Sequence, residues 1–348
     1  MKKNLRNVLV LALGLITTIA SAQWSVDSRT RINNTDPDLK TGDMRTVLAG
    51  DWSTSDVNLH VGLDHTYAIG TGVSTVDMYE VYASTDLMGY ATVTMGTRAM
   101  DFGSGALISS NQWSNDPTTQ QGIDIEVNNS FVDLNVGLMG GLQQDNNTQY
   151  INAAKSGDNY TVNILMLSND ANSTKAHGYD FAYSMMDGQL VLNASMNSDY
   201  EGDEMTSYGA SYNVFDNMTV SINRQTNGED GMGDFNMSGT DYDGSWDATG
   251  NLGYLANQEE NTSVGVSYDL GGVSFAYTQH TITDVSATSA GTERKASDMS
   301  ISYDINDNAS ISWRKISDDQ EEVVGQDATG ADIMGKTERT WITLTMGL

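Results

Sequence analysis

The chain has no cysteine, only two prolines against 34 glycines, and four scattered histidines among 348 residues. Without thiols it has no disulfide framework, no thiol nucleophile and no cysteine cage for a metal. His60, His65, His177 and His280 form no H-E-x-x-H pattern, and the sequence contains neither a G-x-S-x-G elbow nor a phosphate-binding loop. The usual hydrolase and nucleotide-dependent enzyme signatures are therefore absent, and the chain reads as a non-enzyme. Basic residues are also scarce, seventeen against 46 acidic ones, for a net charge of −29. A chain of that charge repels nucleic acid and anionic membrane surfaces. Beyond the first 22 residues no apolar run is long enough for a membrane-spanning helix.

Those first residues have a distinct pattern. Lys2, Lys3 and Arg6 precede an apolar run from Val8 to Ile19, and Ala20-Ser21-Ala22 follows as a small-residue cleavage site. This is the layout of a secretory signal, so residues 1–22 are expected to be removed and the mature chain to begin at Gln23. The leader holds three of the basic residues and none of the acidic ones, leaving fourteen against 46, a net of −32.

What the mature chain has in abundance is alternation. In Thr262 to Gln279, Val264, Val266 and Tyr268 alternate with small polar residues, Asp269 to Gly272 form a turn, and Val273, Phe275 and Tyr277 alternate again. A period of two gives each strand one apolar and one polar face, and Gly-Gly supplies the positive φ angles of a tight hairpin. Equivalent hairpins turn at Met186-Asp187-Gly188, Asp216-Asn217 and Asn306-Asp307-Asn308, with weaker ones near Ser55, Met88, Asn129 and Gly157. Eight tight turns count out eighteen strands between residues 24 and 348; sixteen is the alternative, because strands 1, 2 and 8 alternate least clearly. The remaining connections are long and polar, the largest near 100–121, 225–261, 283–296 and 318–335.

Short turns at one end and long loops at the other define an all-β, transmembrane, antiparallel up-and-down barrel over residues 23–348. A polar lumen and an apolar outside reconcile a mean hydropathy of −0.38 with crossing a bilayer. Tyr183, Tyr212, Tyr268 and Tyr303 each sit on the apolar face just before a tight turn, where an interfacial aromatic girdle belongs. A soluble sandwich with these tyrosines in its core is the competing reading, but it leaves the alternating short and long connections unexplained. The last strand, Trp341 to Leu348, resembles the terminal assembly signal of outer-membrane proteins, with Leu348 where an aromatic is usual.

Residues 79–169 carry a family resemblance. YEVYAS (79–84), VTMGTRAMDFGSGALISSNQW (93–113), QQGIDIEV (120–127), FVDLNVGL (131–138) and QYINAAKSGDNYTVNILMLSND (149–170) are similar to the alginate-export-like outer-membrane porins common among Bacteroidetes. The shared marks are Gly96-Thr97-Arg98, Asn111-Gln112-Trp113 and Gly122-Ile123-Asp124. The resemblance implies an eighteen-stranded barrel in the outer membrane of a Gram-negative cell, independently of the turn count.

Alternation also assigns the lumen. Arg29, Arg31, Arg45, Arg314 and Arg339 face inward on strands that barrel closure makes neighbours, and Arg98 joins the pore-lining set. Glu80, Asp124, Glu126 and Asp133 face inward on strands 4, 6 and 7. The expectation is a basic wall opposite an acidic one, with a transverse field that selects solutes by charge. The alternative is that these groups are simply solvated or mutually paired. The third long connection, with its apolar centre Ala106-Leu107-Ile108, is placed to fold inside the barrel and narrow it. His60 and Asp64, both inward on strand 3, are the single pairing open to hydrolytic chemistry. Asp241, Asp243 and Asp247 have turn-compatible spacing for a calcium ion, the one cofactor the sequence offers. Asp318-Asp319-Gln320-Glu321-Glu322 reads as a solvated acidic run.

Together these features lead to an expected function: a passive outer-membrane channel for small polar or charged solutes. Its partners are outer-membrane lipid and the solutes themselves; a homo-oligomer is open and nucleic acid is excluded. The competing function is a non-conducting barrel serving as a structural or surface-binding platform.

Overall fold

The computed structural model describes residues 23–33, 41–110, 117–140, 148–169, 175–228, 255, 258–286, 291–326 and 332–347. Eighteen strands cover most of this chain. They are β1 (Gln23–Asn33), β2 (Thr41–Ser53), β3 (Val57–Ile69), β4 (Ser74–Asp86), β5 (Ala91–Arg98) and β6 (Gln120–Val127). Then follow β7 (Asp133–Met139), β8 (Thr148–Ser156), β9 (Tyr160–Asn169), β10 (Lys175–Met185), β11 (Leu190–Ser198) and β12 (Glu204–Phe215). The last six are β13 (Met218–Asn227), β14 (Glu259–Leu270), β15 (Val273–Asp284), β16 (Glu293–Asn306), β17 (Ala309–Gln326) and β18 (Asp332–Gly347).

Every strand pairs antiparallel with its sequence neighbours, and β1 pairs with β18 from Asp27↔Gly347 to Asn33↔Trp341. That last pairing closes the sheet. A closed sheet has no edge with unpaired amides, which is what lets strands rather than helices cross hydrocarbon. The count is eighteen, not the sixteen held as an alternative, and all eight tight turns fall where the sequence places them. In the β14–β15 hairpin Gly271 and Gly272 adopt φ of 57° and 89°, the two positive values that a two-residue turn matched to strand twist requires.

The faces sort as alternation predicts. Val264, Val266 and Tyr268 share one side of β14 with Phe275 and Tyr277 of β15, and most of them are more than a third exposed. Asn261, Ser263, His280 and Ile282 occupy the other side and are buried. Large apolar side chains on the outside and polar ones on the inside invert the usual globular arrangement, as a bilayer-facing barrel demands.

The strands outrun their predicted ends on the long-loop side. β17 continues to Gln326 and β18 begins at Asp332, so most of the expected loop 318–335 is hairpin, with register shifts at Asp318/Glu321 and Val323/Gly325. Above the apolar band neither face needs to be apolar, so the ladder persists while the alternation that reveals it stops. Asp318 itself is fully buried on the inner face rather than solvated. One further irregularity matters for the lumen: between Gly62/Leu63 of β3 and Glu80/Met78 of β4 the register shifts, and Tyr79 is the extra residue.

Candidate functional site

The connection after β5 enters the lumen. Residues 106–108 leave the strand plane and pack inside the barrel, with Ala106, Leu107 and Ile108 at most 1% exposed. They form one apolar cluster with Met100, Met139 of β7, Tyr150 of β8, Leu165 and Leu167 of β9, Ala176 of β10 and Met205 of β12. Leu165, Leu167 and Ala176 are apolar at inward positions, which would be anomalous in a water-filled pore; the infolded segment explains them. The segment is closed on itself by Asp101, whose carboxylate accepts from the Ser110 amide (2.8 Å) and the Ser109 and Ser110 hydroxyls (3.1 and 2.7 Å).

Its root is held by two of the predicted lumen acids. Glu80 accepts from the Ala99 amide at 2.7 Å. Asp124, 4% exposed, pairs with Arg98 at 2.9 Å, accepts from the Tyr150 hydroxyl, and lies 3.4 Å from the Asn135 amide. A buried carboxylate satisfied this many times is a structural anchor, because each donor removes part of its desolvation cost. Glu126 and Asp133, by contrast, are exposed at inward register positions opposite Asn135 and Ala154.

The wall of β1 and β2 carries Arg29, Arg31 and Arg45. Arg29 and Arg45 stand opposite one another across β1 and β2 and are each 7% exposed. Asp43 lies 2.9 Å from Arg31 and 3.7 Å from Arg29, and Asp64 lies 2.6 Å from Arg45. The bulge turns Tyr79 inward, where its ring lies 4.9 Å under the Arg45 guanidinium and its hydroxyl is buried. Arg29, Arg45 and Tyr79, with Asp27, Val47, Glu80 and Thr345, line a niche of about 230 Å³. Farther round, Arg314 forks onto Asp298, and Arg294 bridges Glu259 (2.9 Å) and Asp318 (2.5 Å). Arg339 stands opposite Ile316 in the ladder, and its side chain lies outside the described residues.

This geometry revises the two-wall expectation. The basic residues do cluster on β1, β2 and β17, but Asp43, Asp64 and Asp298 sit among them, and Arg98 sits with Asp124 on the side assigned to acids. Acids stand among the arginines rather than on a separate wall: Arg31, Arg45 and Arg98 each meet a carboxylate on the adjoining strand, where opposite charges at neighbouring inward positions attract, while Arg29 and Arg45 face one another directly. His60 and Asp64 do not form a catalytic pair: His60 stacks on Tyr82 and bonds Asp51 through Nδ1 at 2.7 Å, while Asp64 is taken by Arg45. Asp43, Asp298, Arg294 and Tyr79 were missed as site residues. Inward parity on the adjoining strand points to the first three; nothing local reveals the bulge that turns Tyr79. Asp241, Asp243 and Asp247 lie outside the described residues, and among the described residues no three His, Asp or Glu side chains are grouped to hold a metal ion.

A closed antiparallel barrel of eighteen strands with a loop folded into its lumen defines a membrane β-barrel. No family model and no curated protein matches the sequence. Solved structures do match the fold. It is similar to OccK8 (OprE) of Pseudomonas aeruginosa, with a TM-score of 0.71 at 13% identity over 95% of this chain and 98% of that one. The outer-membrane protein opdK of the same organism gives 0.69 at 12% over 95% and 99%, and its OprD gives 0.67 at 11% over 95% and 94%. At these identities the likeness is one of fold.

Proposed function

We propose that the chain is an outer-membrane channel through which small polar or charged solutes diffuse passively. The observation that carries this reading is a closed eighteen-strand barrel with an apolar exterior and a largely polar interior, into which the segment after β5 folds. Solutes pass between that segment and the arginine-bearing wall of β1 and β2, and are sorted by size and by the fixed charges there. OpdK has been solved with vanillate, so a small organic acid of that kind is the first solute to test on this chain. The narrower kinship with alginate-export-like porins rests on the motifs of residues 79–169, and a uronate is the second.

The test is single-channel recording in planar bilayers. A stable open channel is expected, and replacing Arg29, Arg31 and Arg314 by glutamine is expected to raise cation preference. Silence in the bilayer would support the non-conducting platform instead, and an unchanged reversal potential in the triple variant would remove the arginines from selectivity.

A further inference from the structure

The infolded segment is held in two ways that differ in kind. Leu107 and Ile108 are buried against the inner wall, but apolar contact is non-directional and permits sliding. The tip beside them, Gly103-Ser104, is exposed in the lumen, and its described contacts are polar and directed. The Ser104 amide donates to Oδ2 of Asp180 at 3.0 Å, and the Asn197 side-chain amide donates to the Ser104 hydroxyl at 3.3 Å. Asp180, on β10, is itself steadied by the Ser195 hydroxyl at 2.6 Å, which in turn accepts from Asn197 at 2.8 Å. Asp180, Ser195 and Asn197 thus form a closed polar clasp across β10 and β11 around one point of the loop.

Two glycines are shaped to the clasp. Gly103 has φ of 58°, and a Cβ there would collide with Asp180 Oδ2 and come within 2.6 Å of the Asn163 amide. At Gly178, two residues before Asp180, a Cβ would stand 2.6 Å from Asn197 and 3.3 Å from Leu107. Loop and wall therefore approach closely at the same place from both sides, where backbone meets side chain without an intervening Cβ.

We infer that Asp180 is the positioning residue for the channel aperture: by clasping the Ser104 amide it sets how far the loop tip projects into the lumen. The inference rests on the channel reading above. A carboxylate suits the task because a charge-assisted bond to a backbone amide is shorter and stronger than a neutral one and cannot be lost to side-chain rotation on the loop.

The test uses the full barrel. Asp180→Ala is expected to raise single-channel conductance and open-channel noise, while Asp180→Asn, which keeps one weaker neutral acceptor for Ser104, falls between that variant and the parent. The absence of cysteine permits a rescue: Ser104→Cys with Asn197→Cys, added to Asp180→Ala, should return the low conductance when oxidised and lose it again when reduced. Parent-like conductance and noise in a folded Asp180→Ala barrel would overturn the inference. Should that variant not fold, Gly103→Ala attacks the same contact from the loop side, and parent-like conductance there is equally fatal. If the parent barrel itself is silent, the channel reading fails separately, and the clasp is then read from disulfide yield between positions 104 and 197. High yield with Asp180 in place and low yield once Asp180→Ala is added keep the clasp; equal yields discard it.

Discussion

Adjacent residues on β16 provide a direct test of the inside-out arrangement. Ile301 faces outward, between Tyr303 toward the tight turn and Met299 toward the long-loop end, so it sits near the middle of the apolar band. Ser302 faces inward between Ser274 and Ser312. Arginine at a lipid-facing midplane position costs about 2–4 kcal/mol, because hydrocarbon offers the guanidinium neither water nor a partner. At about 1.4 kcal/mol per decade, Ile301→Arg should lower the folding constant roughly 30- to 700-fold. Ser302→Arg places the same charge in a solvated lumen among hydroxyls, where about 0.5 kcal/mol or less is expected. Tryptophan fluorescence during denaturant unfolding in phospholipid vesicles reads both variants. If Ser302→Arg costs as much as Ile301→Arg, the assignment of inside and outside is wrong, and with it the lumen described above.

Three further outcomes follow from the lumen contacts. Leu107→Ala, at a side chain 1% exposed, should weaken docking of the infolded segment by about 2–5 kcal/mol, seen as faster protease cleavage within 100–110 while the barrel stays folded. Asp64→Ala removes the 2.6 Å carboxylate from Arg45, itself 7% exposed, and should lower stability by about 3–5 kcal/mol in the same vesicle assay, with a shift of reversal potential toward anions. Tyr150→Phe takes one donor from the buried Asp124, and a loss of about 1–3 kcal/mol is expected, together with noisier channels because Asp124 anchors the loop root through Arg98.

Where sequence reasoning succeeded and where it stopped follows from the range of the interactions. The hairpins were legible because a two-residue period and a Gly-Gly or Met-Asp-Gly turn are local facts, expressed within ten residues. The inward parity of Arg29, Arg31, Arg45, Glu80 and Asp124 is read from the same local period. That Glu80 caps the Ala99 amide and Asp124 holds Arg98 and Tyr150 was not legible, since both depend on where a loop returns to the wall. The upper parts of β17 and β18 escaped because strands clear of the bilayer carry no alternation to read.

By itself, then, the sequence determined the tight turns and, along each regular strand, the face a side chain presents, because pleat and turn geometry act between near neighbours. Eighteen strands over sixteen, and the bulge that turns Tyr79, were decided by the structure. Only the tertiary structure decided which charges meet and what the loop after β5 packs against. Arg31 finds Asp43 and Arg314 finds Asp298 through the register of paired strands. Ser104 finds Asp180, 76 residues away, because a loop folds back through the lumen of a closed barrel. Alternation along a single strand specifies neither cross-strand register nor the path of that loop.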